Sequence, residues 1–277
     1  MKYGSENIRD FFIRNKYIIL AAFAAGIYAH SLAIWTFKFG IDSAAAALDV
    51  NGVRYLNEQR WGAYILHLAF PFLQYHIVPN IFGIAALTLS AVLVLSGHNI
   101  PSVAKLIFCI SVVSYPAPAH LEYFYYQFGY NSLAVLFAVI AYKITETGSK
   151  PALIPAAALL SIGIGTYQSV MAVFLSAMMI NAILDHIDGK PLSIILKHIV
   201  KSTVILIIAV AVYFIIVKLL PYQISRYHMS FLQYKSGNIP NKIMKMLQTV
   251  QYMVIGGDKY KFALHGVSFI ALYAPPL

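Results

Sequence analysis

Asp42 is the residue best placed to do chemistry, because it follows directly on a long apolar stretch in a chain with few carboxylates. It stands in Gly40-Ile41-Asp42-Ser43, and Asp49, Arg54, Glu58 and Gln59-Arg60-Trp61-Gly62 follow in the same polar interval. Only 10 of the 277 residues are Asp or Glu, so a carboxylate just beyond a membrane span is suited to act as a general base or a metal ligand. The structural alternative is that Asp42 caps a short helix over Ser43 to Leu48, Asp being a favoured N-cap. Both readings stand on the residues alone.

A second interval runs from Tyr115 through Pro116, Pro118, His120 and Glu122 to Tyr126, Gln127 and Tyr130. The prolines break a helix near an interface, and the aromatic side chains beside Glu122 could grip a sugar ring or a prenyl chain. An aromatic belt accounts for the Tyr and Phe residues by itself, but it leaves His120 and Glu122 together without a reason. Tyr167 and Gln168, in the turn Gly165-Thr166-Tyr167-Gln168, could reach the same place, although polar turn residues need no function. Asp185, His186 and Asp188 have a spacing that a metal could use, yet they share a turn with Gly189 and Pro191, and no metal site is expected there. His67 and His76 read as interfacial residues whose polar tips reach water. Phosphate-binding glycine loops, a Ser-His-Asp signature and a zinc-protease helix are all missing from the sequence. Energy coupling by ATP therefore has no support, and no cofactor follows, with a divalent cation left open.

The elements that must position these residues are membrane helices. Hydrophobic residues make up 60% of the chain and charged residues 11%, against about 25% charged in a soluble domain. The apolar residues fall into stretches of about 18 to 23, which matches the length of a helix crossing roughly 30 Å of hydrocarbon. The net charge of +10 comes from Lys and Arg at the ends of those stretches, which argues against nucleic acid. Cys109 lies alone inside an apolar run and reads as packing.

An all-α polytopic transmembrane bundle of about seven spans is expected, at 17–39, 77–97, 103–119, 130–146, 151–166, 168–187 and 202–220, with an eighth beginning near Phe262. Residues 61–76 are apolar but too short to cross, and read as an interfacial or re-entrant helix on the outer face. Lys2, Arg9, Arg14 and Lys16 precede the first span, and Lys143, Lys150, Lys190, Lys197 and Lys201 fall on the same side by odd-even count. That side is expected to be cytoplasmic, which puts the intervals around Asp42 and Glu122 outside. Gly163 and Gly165 permit a close approach of helices at the tight turn.

Taken together, these loop sequences resemble the bacterial O-antigen glucosyltransferases of the type-II Gtr family. The likeness lies in Gly40-Ile-Asp42 after the first span, Gln59-Arg60-Trp61-Gly62 opening an apolar stretch, Pro116 leading through Glu122 to Gln127-Phe128, and Gly165-Thr-Tyr167-Gln168-Ser169. It covers most of residues 17–190. The resemblance implies a GT-C-type glycosyltransferase of the bacterial inner membrane, multi-pass with a cytoplasmic N-terminus and a periplasmic active site. It implies transfer of glucose from a polyprenyl-phosphate carrier to an O-antigen or related surface glycan. By that analogy Asp42 is the general base, with Asp49 second; Arg60, and after it Arg54, offers positive charge to the departing phosphate. Trp61, His120, Glu122, Tyr126 and Gln168 complete the substrate-binding set. Family members run considerably longer, whereas this chain stops at Tyr273-Ala-Pro-Pro-Leu277, inside a further apolar segment. A single membrane domain over 1–277 is the expectation, either truncated at its C-terminus or a shortened member for which the later chain is dispensable.

The rival reading is a transporter or flippase for a lipid-linked saccharide, and a third is a structural subunit. Transporters place ionisable groups and broken helices near the bilayer midplane, whereas the unusual residues here gather at one face.

Overall fold

The computed structural model of the chain describes residues 8–31, 34, 51–74, 77–114, 125–146 and 151–220, all within one compact unit, Met1–Ile224. The described residues form helices and no strand. In chain order they are α1 (Ile8–Ala29), α2 (Val53–Asn57), α3 (Trp61–Ala69), α4 (Ile77–Val94), α5 (Ser102–Val113), α6 (Tyr125–Glu146), α7 (Leu153–Thr166), α8 (Val170–Ile187) and α9 (Leu192–Leu219), with a 3₁₀ turn at Pro71–Gln74.

Each of the seven expected spans has its helix, and five of them, α1, α4, α6, α8 and α9, are long and apolar enough to cross a bilayer. Helices α5 and α7 have 12 and 14 residues, or about 18 and 21 Å at 1.5 Å per residue. Both fall short of the hydrocarbon thickness by themselves. Two boundaries differ from expectation for local reasons. Helix α1 starts at Ile8 because the basic N-terminal residues continue the helix, and α9 starts at Leu192 because Pro191 stands at its N-cap, ten residues ahead of the purely apolar run. Pro fits a helix start, where no N–H partner is lost. The eighth span expected near Phe262 lies outside the described residues.

Lipid offers no hydrogen bonds, so the spans must satisfy their polar groups internally. Thr88 donates to the Ile84 carbonyl at 2.8 Å, Ser90 to Ala86 at 2.7 Å and Thr166 to Ile162 at 2.8 Å. Breaks in the chain coincide with residues that cannot continue a helix: Gly97 at φ 88° and Pro101 between α4 and α5, and Gly189 at φ 77° and Pro191 between α8 and α9.

Helix α6 is the central post. Of its apolar window 67% is buried, against 22% for α1 and for α9, so those two carry their large side chains outward, Tyr17, Leu20, Ile207 and Phe214 among them. Small residues set the spacing around the post. A methyl group on Gly83 of α4 would lie 2.4 Å from the Phe128 ring of α6, and one on Gly26 of α1 would lie 2.4 Å from Val113 of α5. Such close approach of helices substitutes for a hydrophobic driving force that lipid does not provide.

The short helix α3 and the 3₁₀ turn after it bear out a non-spanning segment over 61–74, with His76 outside the described residues, although α3 is clamped to protein more than laid on a surface. Trp61, Gly62, Ala63, Leu66 and His67 are buried. A Cβ on Gly62 would sit 2.1 Å from the Ile162 carbonyl oxygen, and one on Gly165 would sit 2.6 Å from Cε2 of Trp61. The two glycines let α3 lie directly on the last turn of α7, with the indole covering Gly165. His67 differs from expectation: it is buried against Gly52, Tyr55 and Tyr130, with ring centroids 5.7 and 6.4 Å away. The packing of α3 turns its ring inward.

At the far end of α6 a polar clasp ties four elements together. His98, in the link after α4, bonds Oδ2 of Asp188 at 2.8 Å through Nδ1 and Oδ1 of Asn181 at 2.9 Å through Nε2. Lys143 of α6 donates to the same Asn181 oxygen at 2.8 Å and to the Ser96 carbonyl at 3.0 Å, and pairs with Glu146 at 3.0 Å. Lys190 pairs with the buried Asp185 at 2.5 Å.

Two predictions follow from this packing. Gly62→Ala drives a methyl group into a backbone carbonyl and is expected to cost about 2–3 kcal/mol, as overpacking does, read as a lower unfolding midpoint in detergent. His98→Ala removes one of two donors from the buried Asn181 oxygen and the partner of the exposed Asp188, and is expected to cost about 1 kcal/mol; an unchanged midpoint would contradict the clasp's structural role.

Candidate functional site

The other end of α6 gathers the sequence-derived residues that the structure describes. Helix α2 ends in two crossing bonds: Gln59 N–H donates to the Leu56 carbonyl at 3.0 Å, and Arg60 N–H donates to Tyr55 at 2.7 Å. This is the Schellman arrangement, and its turning residue, Gln59, has φ 60°. The turn delivers Arg60 to the N-cap of α3, and the Gly62–Gly165 contact holds that cap against the α7–α8 hairpin.

Arg60 is thereby surrounded from three elements. Its Nη1 donates to Oε1 of Gln127, at the start of α6, at 2.8 Å and lies 3.5 Å from Oε2 of Glu58. Its guanidinium carbon stands 5.6 Å from the centroid of the Tyr167 ring, in the hairpin turn, a cation–π arrangement. A guanidinium has five N–H donors in a planar fork, and the side chain keeps 20% exposure, so these contacts orient the group without exhausting it. Arg54 is instead drawn to Glu58, Nε to Oε1, at 2.8 Å. Glu58 thus separates the two candidate cations into one that is neutralised locally and one that is aimed.

Gln168 joins from the same hairpin. Its Nε2 donates to the Tyr213 hydroxyl of α9 at 2.9 Å, and that hydroxyl donates to the Gln59 carbonyl at 3.5 Å. Of the residues singled out in the sequence, Arg54, Arg60, Trp61 and Gln168 therefore share one end of the bundle. Asp42, Asp49, His120 and Glu122 lie outside the described residues, as does the side chain of Tyr126, whose backbone belongs to the first turn of α6.

The sequence places Gln127, Glu58 and Gln59 in its distinctive intervals without a role for any of them, and does not point to Tyr213. Gln127 carried a signal, being a polar residue at the head of an apolar helix. Tyr213 carried little, since a Tyr near a span end is ordinary belt composition.

The metal question falls at the opposite end. His98, Asp185 and Asp188 bring one ligand atom each within 4.8 Å of one another. The histidine recruited is His98 and not His186, because neighbours on a helix point about 100° apart and His186 faces outward while Asp185 is buried. Lys190 and the His98 bonds already occupy these carboxylates, which makes the group an ion-paired clasp. Gln127 and Lys143 are both on α6, sixteen residues apart, or about 24 Å along the helix, so the clasp is remote from Arg60.

Comparison with known proteins agrees with the motifs. No curated protein and no solved structure matches the chain. The profile of the family described as glucosyl transferase GtrII matches residues 32–272, which covers both the Arg60 turn and the α7–α8 hairpin. With most of its length inside that match, this helical membrane chain belongs to the GtrII glucosyl transferase family.

Proposed function

We propose that the chain transfers glucose from a polyprenyl-phosphate donor to an O-antigen or related surface glycan, at the periplasmic face of a bacterial inner membrane with its N-terminus in the cytoplasm. Family membership supports a glycosyltransferase. The observation that carries the finer reading is the orientation of Arg60, a cation fixed by Gln127, Glu58 and Tyr167 at one end of the bundle with donors to spare. A lipid-linked donor keeps its tail in the bilayer and its charged head at the interface, which is where such a cation is useful.

In the reaction the acceptor hydroxyl attacks the anomeric carbon, and the bond from that carbon to the phosphate oxygen breaks. The proton passes to a base, and the departing lipid phosphate goes from one negative charge toward two. Asp42 is the base in this proposal, with Asp49 as the alternative. Arg60 stabilises the charge gained by the phosphate; Arg54, paired with Glu58, is second to it. Trp61 fixes the turn, and Gln168, His120, Glu122 and Tyr126 contribute contacts to sugar and phosphate. The interior spans weigh against the transporter alternative, since α4, α6 and α8 carry no charged residue in their middle thirds, where translocation pathways place them.

The test is expression in a bacterium with a defined O-antigen and a supplied donor pathway, with mass spectrometry of the lipopolysaccharide repeat unit. Wild type is expected to add one hexose per modified repeat. Asp42→Asn and Arg60→Ala are each expected to lower that addition by about 10²-fold or more while leaving membrane expression intact. A well-expressed wild type that adds no hexose sinks the proposal.

A further inference from the structure

Gln59 occupies a position that its own backbone geometry argues against. The turning residue of a Schellman motif sits in the left-handed region, where glycine is favoured and asparagine tolerated. Gln59 holds φ 60° there, beside other turns in this chain that do use glycine, Gly52, Gly97 and Gly189, at φ 67°, 88° and 77°. A turn needed only for its shape is best made by glycine. The side chain does not repay the strain inside the protein either, because its Nε2 is buried and has no hydrogen-bond partner. Two residues on, the indole Nε1 of Trp61 is a second buried donor without a partner; Trp61 is 5% exposed. Arg60 lies between them in the chain, with its guanidinium only partly committed. The backbone of Gln59 is meanwhile fixed: Leu56 accepts from its N–H, and the Tyr213 hydroxyl donates to its carbonyl.

We infer that Gln59 is a substrate-binding residue, and that its carboxamide donates to an oxygen of the phosphate-linked sugar headgroup held by Arg60. The inference rests on the functional reading above and deepens it. The chemistry is complementary: three consecutive side chains present N–H groups, two of them buried and unsatisfied, and a glycosyl phosphate is rich in acceptors and carries the negative charge that Arg60 calls for. Tyr213 is a positioning residue in this arrangement. Through its hydroxyl, α9 and Gln168 hold the strained carbonyl, so the carboxamide is presented by a turn fixed from both sides.

The left-handed backbone supplies a discriminating variant. Gln59→Gly relieves the strain while removing the carboxamide, so a merely structural residue predicts equal or better stability with unchanged binding. The test uses the purified full chain in lipid nanodiscs, with polyprenyl phosphate and polyprenyl-phosphate glucose as probes, titrated by intrinsic fluorescence alongside a thermal melt. The expected result is a melting midpoint at or above wild type and a rise in Kd of about tenfold, the weight of one charge-assisted hydrogen bond. Equal weakening for both probes places the bond on the phosphate; weakening confined to the glucosylated probe places it on the sugar. Gln59→Asn, which also tolerates this backbone but draws the amide back by one methylene, is expected to show the same loss and serves if the glycine variant fails to fold. Wild-type binding that both variants retain overturns the inference alone. A wild type that binds neither probe overturns the inference together with the functional reading.

Discussion

The candidate site depends on two missing side chains. Gly62 and Gly165 bring the start of α3 into contact with the end of α7, closer than any residue with a Cβ permits. Without that contact the α2–α3 turn has no fixed height on the bundle, and Arg60 has no reason to meet Gln127 and Tyr167. The interaction is a van der Waals contact between backbones, which in lipid is among the main forces that hold helices together. Specific polar geometry at the site therefore rests on an apolar approach immediately beneath it.

The bundle itself was legible from the residues because span length and charge at span ends are consequences of bilayer physics. The expected spans found their helices, and the hairpin at Gly165-Thr-Tyr-Gln appeared where two apolar runs meet without room for a loop. Helix starts were less legible, since Leu192 to Lys201 mixes apolar and basic residues and only Pro191 marks the beginning. Membership in the glycosyltransferase family was readable because several short motifs occur together in one sequence, and no one of them suffices alone.

The partners of the site residues were not legible, and the reason is separation along the chain. Arg60 meets Gln127 across 67 positions, and Tyr213 meets Gln59 across 154. Neither pairing leaves a local pattern. His98 replaced His186 beside Asp185 for the same reason: adjacency in sequence on a helix is divergence in space. Histidine burial was misjudged at His67 because its surroundings, Gly52 and Tyr130, come from other parts of the chain. The molecule also divides its polar groups by purpose along α6. One end pairs carboxylates with cations and anchors four elements, and the other leaves donors unspent.

The brevity of α7 has a consequence for the membrane around it. A helix of 14 residues extends about 21 Å, some 9 Å less than the thickness of a hydrocarbon core. A bilayer around so short an apolar helix accommodates the deficit by thinning, at fractions of a kcal/mol per Å. Thinning at the end that carries Tyr167 would bring water and lipid headgroups toward Arg60. The depth to which headgroups reach into such a bundle is then set by how many residues one helix lacks.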